Sequence, residues 1–184
     1  MAKKFDIKVE NIVASAAFGI RIPLEMLVEH IEGTEYEPEQ FPGLVYRVKD
    51  PKAATLIFSS GKIVCTGARS VEDVTIVIKK VVKILKEKKI GNPKKYKIEI
   101  QNIVASSKLD GKINLDHIAF ELEDSEYEPE QFPGLVYRMK DPKVAFLLFS
   151  SGKIVCTGGR KVEDIEYAVN VLSKRLKDID AIKK

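Results

Sequence analysis

The chain has no tryptophan, only two cysteines and two histidines among its 184 residues, and few Asn or Gln. Each shortage removes a class of function. Cys65 and Cys156 have no CxxC or Cys/His neighbourhood, so no zinc site is expected. Isolated thiols of this kind read as small buried residues of an intracellular protein. His30 and His117 stand at non-corresponding places in a duplicated sequence: the repeat partner of His30 is Glu121, and that of His117 is Met26. A symmetric active site built on them has no support. Gly61-Lys62-Ile63 lacks the upstream glycine and the following Ser/Thr of a phosphate-binding loop. Acidic residues abound, but no spacing singles out an acid/base couple. The expectation is a protein without enzymatic activity or cofactor. No apolar run approaches the ~18 residues of a membrane span. Met1 to Phe5 leads into a mixed polar stretch rather than an apolar leader core, so a cytoplasmic location without a membrane partner is expected.

What is present is charge and aliphatic bulk. Charged residues make up 32% of the chain and hydrophobic ones 45%, yet the net charge is only +4. That excludes a polybasic tail protein and leaves enough apolar material for a core. Abundant Lys, Glu, Ile and Val suggest a thermophilic source. The main signal is repetition. Tyr36–Gly67 recurs as Tyr127–Gly158, 91 residues later; the first twelve residues of the two copies are identical, and so are the ten from Phe58 to Gly67 and from Phe149 to Gly158. Residues 1–92 and 93–184 are therefore expected to be one structural unit in duplicate.

Alternation from Phe5 to Ala14 predicts a strand, with Asn11 and Val13 on one side and Ile12 on the other. Pro23 suits the first turn of a helix carrying Leu24, Leu27, Val28 and Ile31, which Gly33 ends. In the second copy Asn114 is the expected N-cap of the matching helix. Glu37 to Gly43, with two prolines, is a loop. Strands follow at Leu44–Val48 and Thr55–Ser59, then a hairpin at Ser60-Gly61 and a return strand at Lys62–Thr66. Ser70 caps a long helix whose apolar stripe is predicted as Val71, Val74, Ile78, Val81, Val82 and Leu85. Val162, Ile165, Val169, Leu172 and Leu176 line its counterpart. The inferred fold is α+β, a pseudo-two-fold molecule with one continuous antiparallel sheet and helices on one side.

Strand parity then separates two faces. Ile57, Ile63 and Cys65 lie on one, Leu56, Phe58, Val64 and Thr66 on the other. The second copy repeats this with Leu148, Ile154 and Cys156 against Leu147, Phe149, Val155 and Thr157. If the helices cover the first set, the second is left for a partner, because an apolar surface of this extent marks an interface.

The doubled Asn-Ile-Val-Ala, Phe-Pro-Gly-Leu-Val-Tyr-Arg and Phe-Ser-Ser-Gly-Lys-Ile-Val-Cys-Thr-Gly segments resemble the TATA-box-binding protein family in its short archaeal form, over about Asp6 to Lys177. The resemblance implies a saddle with a ten-stranded antiparallel sheet against the DNA minor groove and four helices on the convex side. It implies that Phe41 with Phe58, and Phe132 with Phe149, are intercalating wedges. Asn11, Asn102, Thr66 and Thr157 would meet near the pseudo-dyad and face the acceptors of A·T pairs. Val13, Val104, Leu56, Leu147, Val64 and Val155 would form the apolar floor. Arg47, Arg138, Lys62, Lys153, Arg69 and Arg160 would contact phosphates. Glu128, Glu130 and Gln131 would dock the B-type general transcription factor, and RNA polymerase would follow indirectly; the first copy has the same letters at Glu37 to Gln40. The implied function is a general transcription initiation factor associated with the archaeal nucleoid. The rival reading is a protein-interaction scaffold in which the apolar sheet face buries a partner or, without DNA, a second copy of the chain.

Overall fold

Alternating and helical apolar periods resolve into a repeated order of elements in the computed structural model, which describes residues 5–183. The first copy runs β1 (Lys8–Ala17), α1 (Leu24–His30), β2 (Thr34–Glu35), β3 (Leu44–Lys49), β4 (Lys52–Ile57), β5 (Lys62–Ala68) and α2 (Val71–Glu87). The second runs β6 (Glu99–Lys108), β7 (Lys112–Ile113), α3 (Leu115–Glu121), β8 (Ser125–Glu126), β9 (Leu135–Lys140), β10 (Lys143–Leu148), β11 (Lys153–Gly159), α4 (Val162–Asp178) and β12 (Ile182–Lys183). Ten strands form one antiparallel sheet in the order β2-β3-β4-β5-β1-β6-β11-β10-β9-β8, and β7 pairs with β12 separately. The expected ten-stranded sheet and four helices are thus observed. No helix among the described residues is long and apolar enough to cross a membrane.

Among the described residues two compact units result, residues 11–101 and residues 5–10 with 102–183. In the first, Ile12, Ala14, Leu44, Ile57, Ile63 and Cys65 are buried, as are Leu24 and Leu27 of α1 and Val74, Val77, Ile78, Val81 and Leu85 of α2. Leu27, Leu44, Tyr46, Ile57, Val81 and Leu85 border one small apolar void, so both helices cover the same face of these strands. In the second unit, Ile103, Ala105, Leu135, Phe146, Leu148, Ile154 and Cys156 are buried with Leu115 and Ile118 of α3 and Ile165, Val169, Leu172 and Leu176 of α4. Truncating any of these fully buried aliphatics to Ala would cost about 2–5 kcal/mol.

The caps follow the side chains present. Ser70 accepts from the Asp73 N–H at 3.0 Å, and Asn114 from the His117 N–H at 3.1 Å. Lys161, the counterpart of Ser70, makes no side-chain cap.

Several boundaries differ from expectation. Pro23 sits at the N-cap of α1, one place before the first helical residue. β1 starts at Lys8 and runs on to Ala17. β3 and β4 close more tightly than predicted: Lys49 pairs with Lys52 across a two-residue Asp50-Pro51 turn whose peptide bond is cis. Val71, predicted in the α2 stripe, is 50% exposed, and Val77 is buried instead. Helical side chains lean over the preceding turn, and Val71, as the first helical residue, has no preceding turn to cover.

Candidate nucleic-acid interface

The sheet residues that the helices leave uncovered form transverse rows set by strand register. In the first unit Val45 pairs with Leu56, Leu56 with Val64, and Val64 with Ser15. A neighbouring row is Arg47, Ala54 and Thr66. In the second unit the same rows are Val136, Leu147, Val155 and Ser106, then Arg138, Ala145 and Thr157. Val13, Leu56, Val64, Val104, Leu147 and Val155 are all half-buried, while their strand neighbours Ile12, Ile57, Ile63, Ile103, Leu148 and Ile154 are buried. The parity split therefore holds residue by residue. Val45, Val136, Ala54, Ala145, Ser15 and Ser106 belong to these rows but were not singled out from sequence. Leu44 to Val48 is apolar on both faces, so alternation alone does not orient it; pairing with β4 does.

Two aromatic rings accompany the apolar row of each unit, with Phe58 and Phe149 two residues beyond Leu56 and Leu147 along the chain. Phe41 and Phe58 meet edge to face with centroids 5.8 Å apart; Phe132 and Phe149 do so at 6.0 Å. Phe41 is 40% exposed and Phe132 43%, far from the burial of a core phenylalanine such as Phe146. The loops carrying them are held by one carbonyl each. Glu37 O accepts from the Gln40 and Phe41 N–H groups, and Glu128 O from those of Gln131 and Phe132. The second ring of each pair sits at the mouth of a hairpin, where the Phe58 N–H donates to Lys62 O and the Phe149 N–H to Lys153 O. Beneath each pair lies a glycine for a steric reason. A Cβ on Gly43 would come within 2.7 Å of Phe41 and 3.0 Å of Phe58, and Gly134 shows the same contacts with Phe132 and Phe149.

Asn11 and Asn102 are fixed in orientation by their own strand neighbours. Asn11 Oδ1 accepts from the Gly67 N–H at 2.6 Å, and its Nδ2 donates to Thr66 Oγ1 at 3.3 Å. Asn102 Oδ1 accepts from the Gly158 N–H at 2.6 Å, and its Nδ2 donates to Thr157 Oγ1 at 3.1 Å. Gly67 and Gly158 have φ of +97° and +103°, a backbone region that favours glycine. With each carbonyl oxygen tied to backbone, the amide nitrogen keeps a second hydrogen for an external acceptor.

Arg47, Lys62, Arg69, Arg138, Lys153 and Arg160 are all exposed. So are Glu128, Glu130 and Gln131, and equally Glu37, Glu39 and Gln40, so exposure does not distinguish the two loops. Cys65 and Cys156 are buried, and burial pushes their thiols up to about 11 and about 12. Neither is a nucleophile. No cluster of metal-ligating side chains occurs among the described residues. The arrangement offers apolar floor, aromatic edges, amide and hydroxyl donors and flanking cations.

Comparison with known proteins agrees. The family model for transcription factor TFIID, or TATA-binding protein, matches twice, at residues 6–88 and 97–179. The TATA-box-binding protein of Methanobrevibacter smithii is 54% identical over 96% of this chain and 98% of its own length. That of Methanothermobacter thermautotrophicus is 52% identical over 96% and 98%. The solved structure of Methanococcus jannaschii TBP superposes with a TM-score of 0.89 at 50% identity, covering 94% of this chain and 99% of that one.

Proposed function

The chain belongs to the TATA-binding protein family, and on that premise we propose that it is a general transcription factor which binds TATA-box DNA in the minor groove and kinks it with its two phenylalanine pairs. It is a binding protein and not an enzyme. Minor-groove binding with inserted apolar wedges is the mode for which this family is itself the standing example.

The observation that carries the reading is the placement of two partly exposed ring pairs beside half-buried aliphatic rows on the helix-free face. Rings entering a base step unstack it at a cost of about a few kcal/mol, least at flexible TA steps. The aliphatic side chains of the floor lie against base edges and disfavour a guanine amino group directly over them. The Asn amides and Thr hydroxyls meet the N3 and O2 acceptors of A·T pairs. The six exposed cations hold the phosphates on either side.

We expect an A/T-rich duplex with TA steps to bind about 100-fold or more tightly than a G/C-rich one, given roughly 1–3 kcal/mol for each unsuitable pair. It should also be bent, as read by energy transfer between its labelled ends. Equal affinity without bending would refute the reading and leave the apolar face to a protein partner.

The loop at Glu128, Glu130 and Gln131 docks the B-type general transcription factor, which brings the polymerase. Glu128→Arg with Glu130→Arg should spare DNA binding and weaken recruitment of that factor by about tenfold, as loss of interface charge pairing does. Glu37→Arg with Glu39→Arg is the matched control. Equal recruitment by both variants would place the docking surface elsewhere.

A further inference from the structure

The two DNA-facing surfaces are nearly identical in sequence, yet a few corresponding positions on β1 and β6 differ in chemistry, and one of these pairs is hydrogen-bonded to the helix-free face. Position 10 is glutamate and its repeat counterpart, position 101, is glutamine. Each side chain bonds a serine on the helix-free face, and the bonds run in opposite directions. Gln101 Nε2 donates to Ser15 Oγ at 2.9 Å. Ser106 Oγ donates to Glu10 Oε1 at 2.8 Å. Ser15 and Ser106 are themselves counterparts, at the ends of the rows through Val64 and Val155.

A hydroxyl has one proton and two lone pairs. Ser15, having accepted from an amide, still has its proton to give. Ser106 has given its proton to the carboxylate and presents lone pairs only. A carboxylate has no donor of its own to replace it. One half thus presents a donor where the other presents an acceptor, from the same residue type. The minor groove of an A·T pair offers acceptors alone, whereas a G·C pair adds the guanine amino donor. The donor half suits A·T; the acceptor half accommodates the amino group and is ill matched to an unbroken run of acceptors.

We propose that the Glu10/Gln101 difference makes the protein directional on DNA by itself, seating the Ser106 half over the end of the site that contains a G·C pair. This rests on the minor-groove reading above and refines it. Glu10 and Gln101 act through the serines and through local charge; Lys8 Nζ lies 3.9 Å from Glu10 Oε1 in an exposed pair.

The test uses a duplex whose A/T core is self-complementary except for one A·T pair replaced by G·C in one half. A donor dye is placed at Glu39→Cys; the buried Cys65 and Cys156 do not compete for it. An acceptor dye sits at either duplex end, and energy transfer gives the ratio of the two orientations. The unaltered surface should show a bias of roughly fivefold, the range of one well-placed hydrogen bond. Glu10→Gln with Gln101→Glu should reverse it, and Ser106→Ala should bring it close to parity. A ratio unchanged in both variants overturns the inference. Binding and bending of the all-A/T duplex, measured in the same samples, test the minor-groove reading separately: their persistence alongside an unchanged ratio removes the directional proposal alone, and their absence in the protein with unaltered Glu10 and Gln101 removes both.

Discussion

Replacing both hairpin rings, Phe58→Ala with Phe149→Ala, should abolish most of the DNA bend and lower affinity for a TATA duplex on the order of 100-fold, at about 1–3 kcal/mol per lost aromatic–base contact. The fold should survive. Both rings are half-buried rather than core, and each touches the partly exposed Phe41 or Phe132. The loss of packing is therefore well below the about 3–5 kcal/mol of a fully buried phenylalanine. Circular dichroism and thermal melting give the fold readout; end-to-end energy transfer gives the bend. Gly43→Ala with Gly134→Ala sharpens the test by removing no ring. The added methyls would meet Phe41 and Phe132 at 2.7 Å, so the rings must turn away. A reduced bend with all four phenylalanines present would show that ring placement matters. A full bend in the Phe58/Phe149 variant would exclude them as wedges, and unfolding on loss of the rings would make them core residues.

Asn11→Asp with Asn102→Asp should be nearly as damaging to binding, and for a different reason. Each carboxylate oxygen can still accept from Gly67 or Gly158, so the strand tie at 2.6 Å survives. What disappears is the amide hydrogen, and in its place stands a negative oxygen facing base acceptors. The readout term for each position is about 1–3 kcal/mol, and repulsion from the phosphates adds to it. Fluorescence anisotropy should show a loss on the order of 100-fold or more for A/T-rich DNA, with a melting midpoint close to the parent. Parent-like affinity would mean that the amides serve the strands alone. Asn→Ala at both positions separates the two duties, because it removes the tie as well and should lower the melting midpoint.

Much of this surface could be read from the residues because two periods, 2.0 and 3.6, carry different information. Around Leu56-Ile57-Phe58 the alternation assigns sides without any fold knowledge, and the burial of Ile57 beside half-buried Leu56 and Phe58 follows it. The long helices are largely legible too, apart from exposed Val71 and half-buried Val82, which the stripe included, and buried Val77, which it missed. Strand parity fails where both faces are apolar, as at Val45, or where the element is two residues long, as at Thr34–Glu35 and Lys112–Ile113. Such short pieces contain no period at all. Their pairing is decided by what lies next to them in space. Phe41 and Phe132, proposed as wedge partners, lie outside strands, so parity is silent and only the resemblance pointed to them. The hydrogen-bond directions at Ser15 and Ser106 were also out of reach, since they depend on which side chain arrives from a distant strand.

The duplication has aged unevenly. Where Ile76 is exposed on α2, Tyr167 is exposed at the matching place on α4, and the largely bare Phe120 of α3 answers to Glu29 of α1. The sheet side kept its letters while the helices drifted. A reagent meant to recognise one repeat and ignore the other, whether an antibody or a selected peptide, has to be raised against the helices. Against the sheet it would find two addresses with almost the same number on the door.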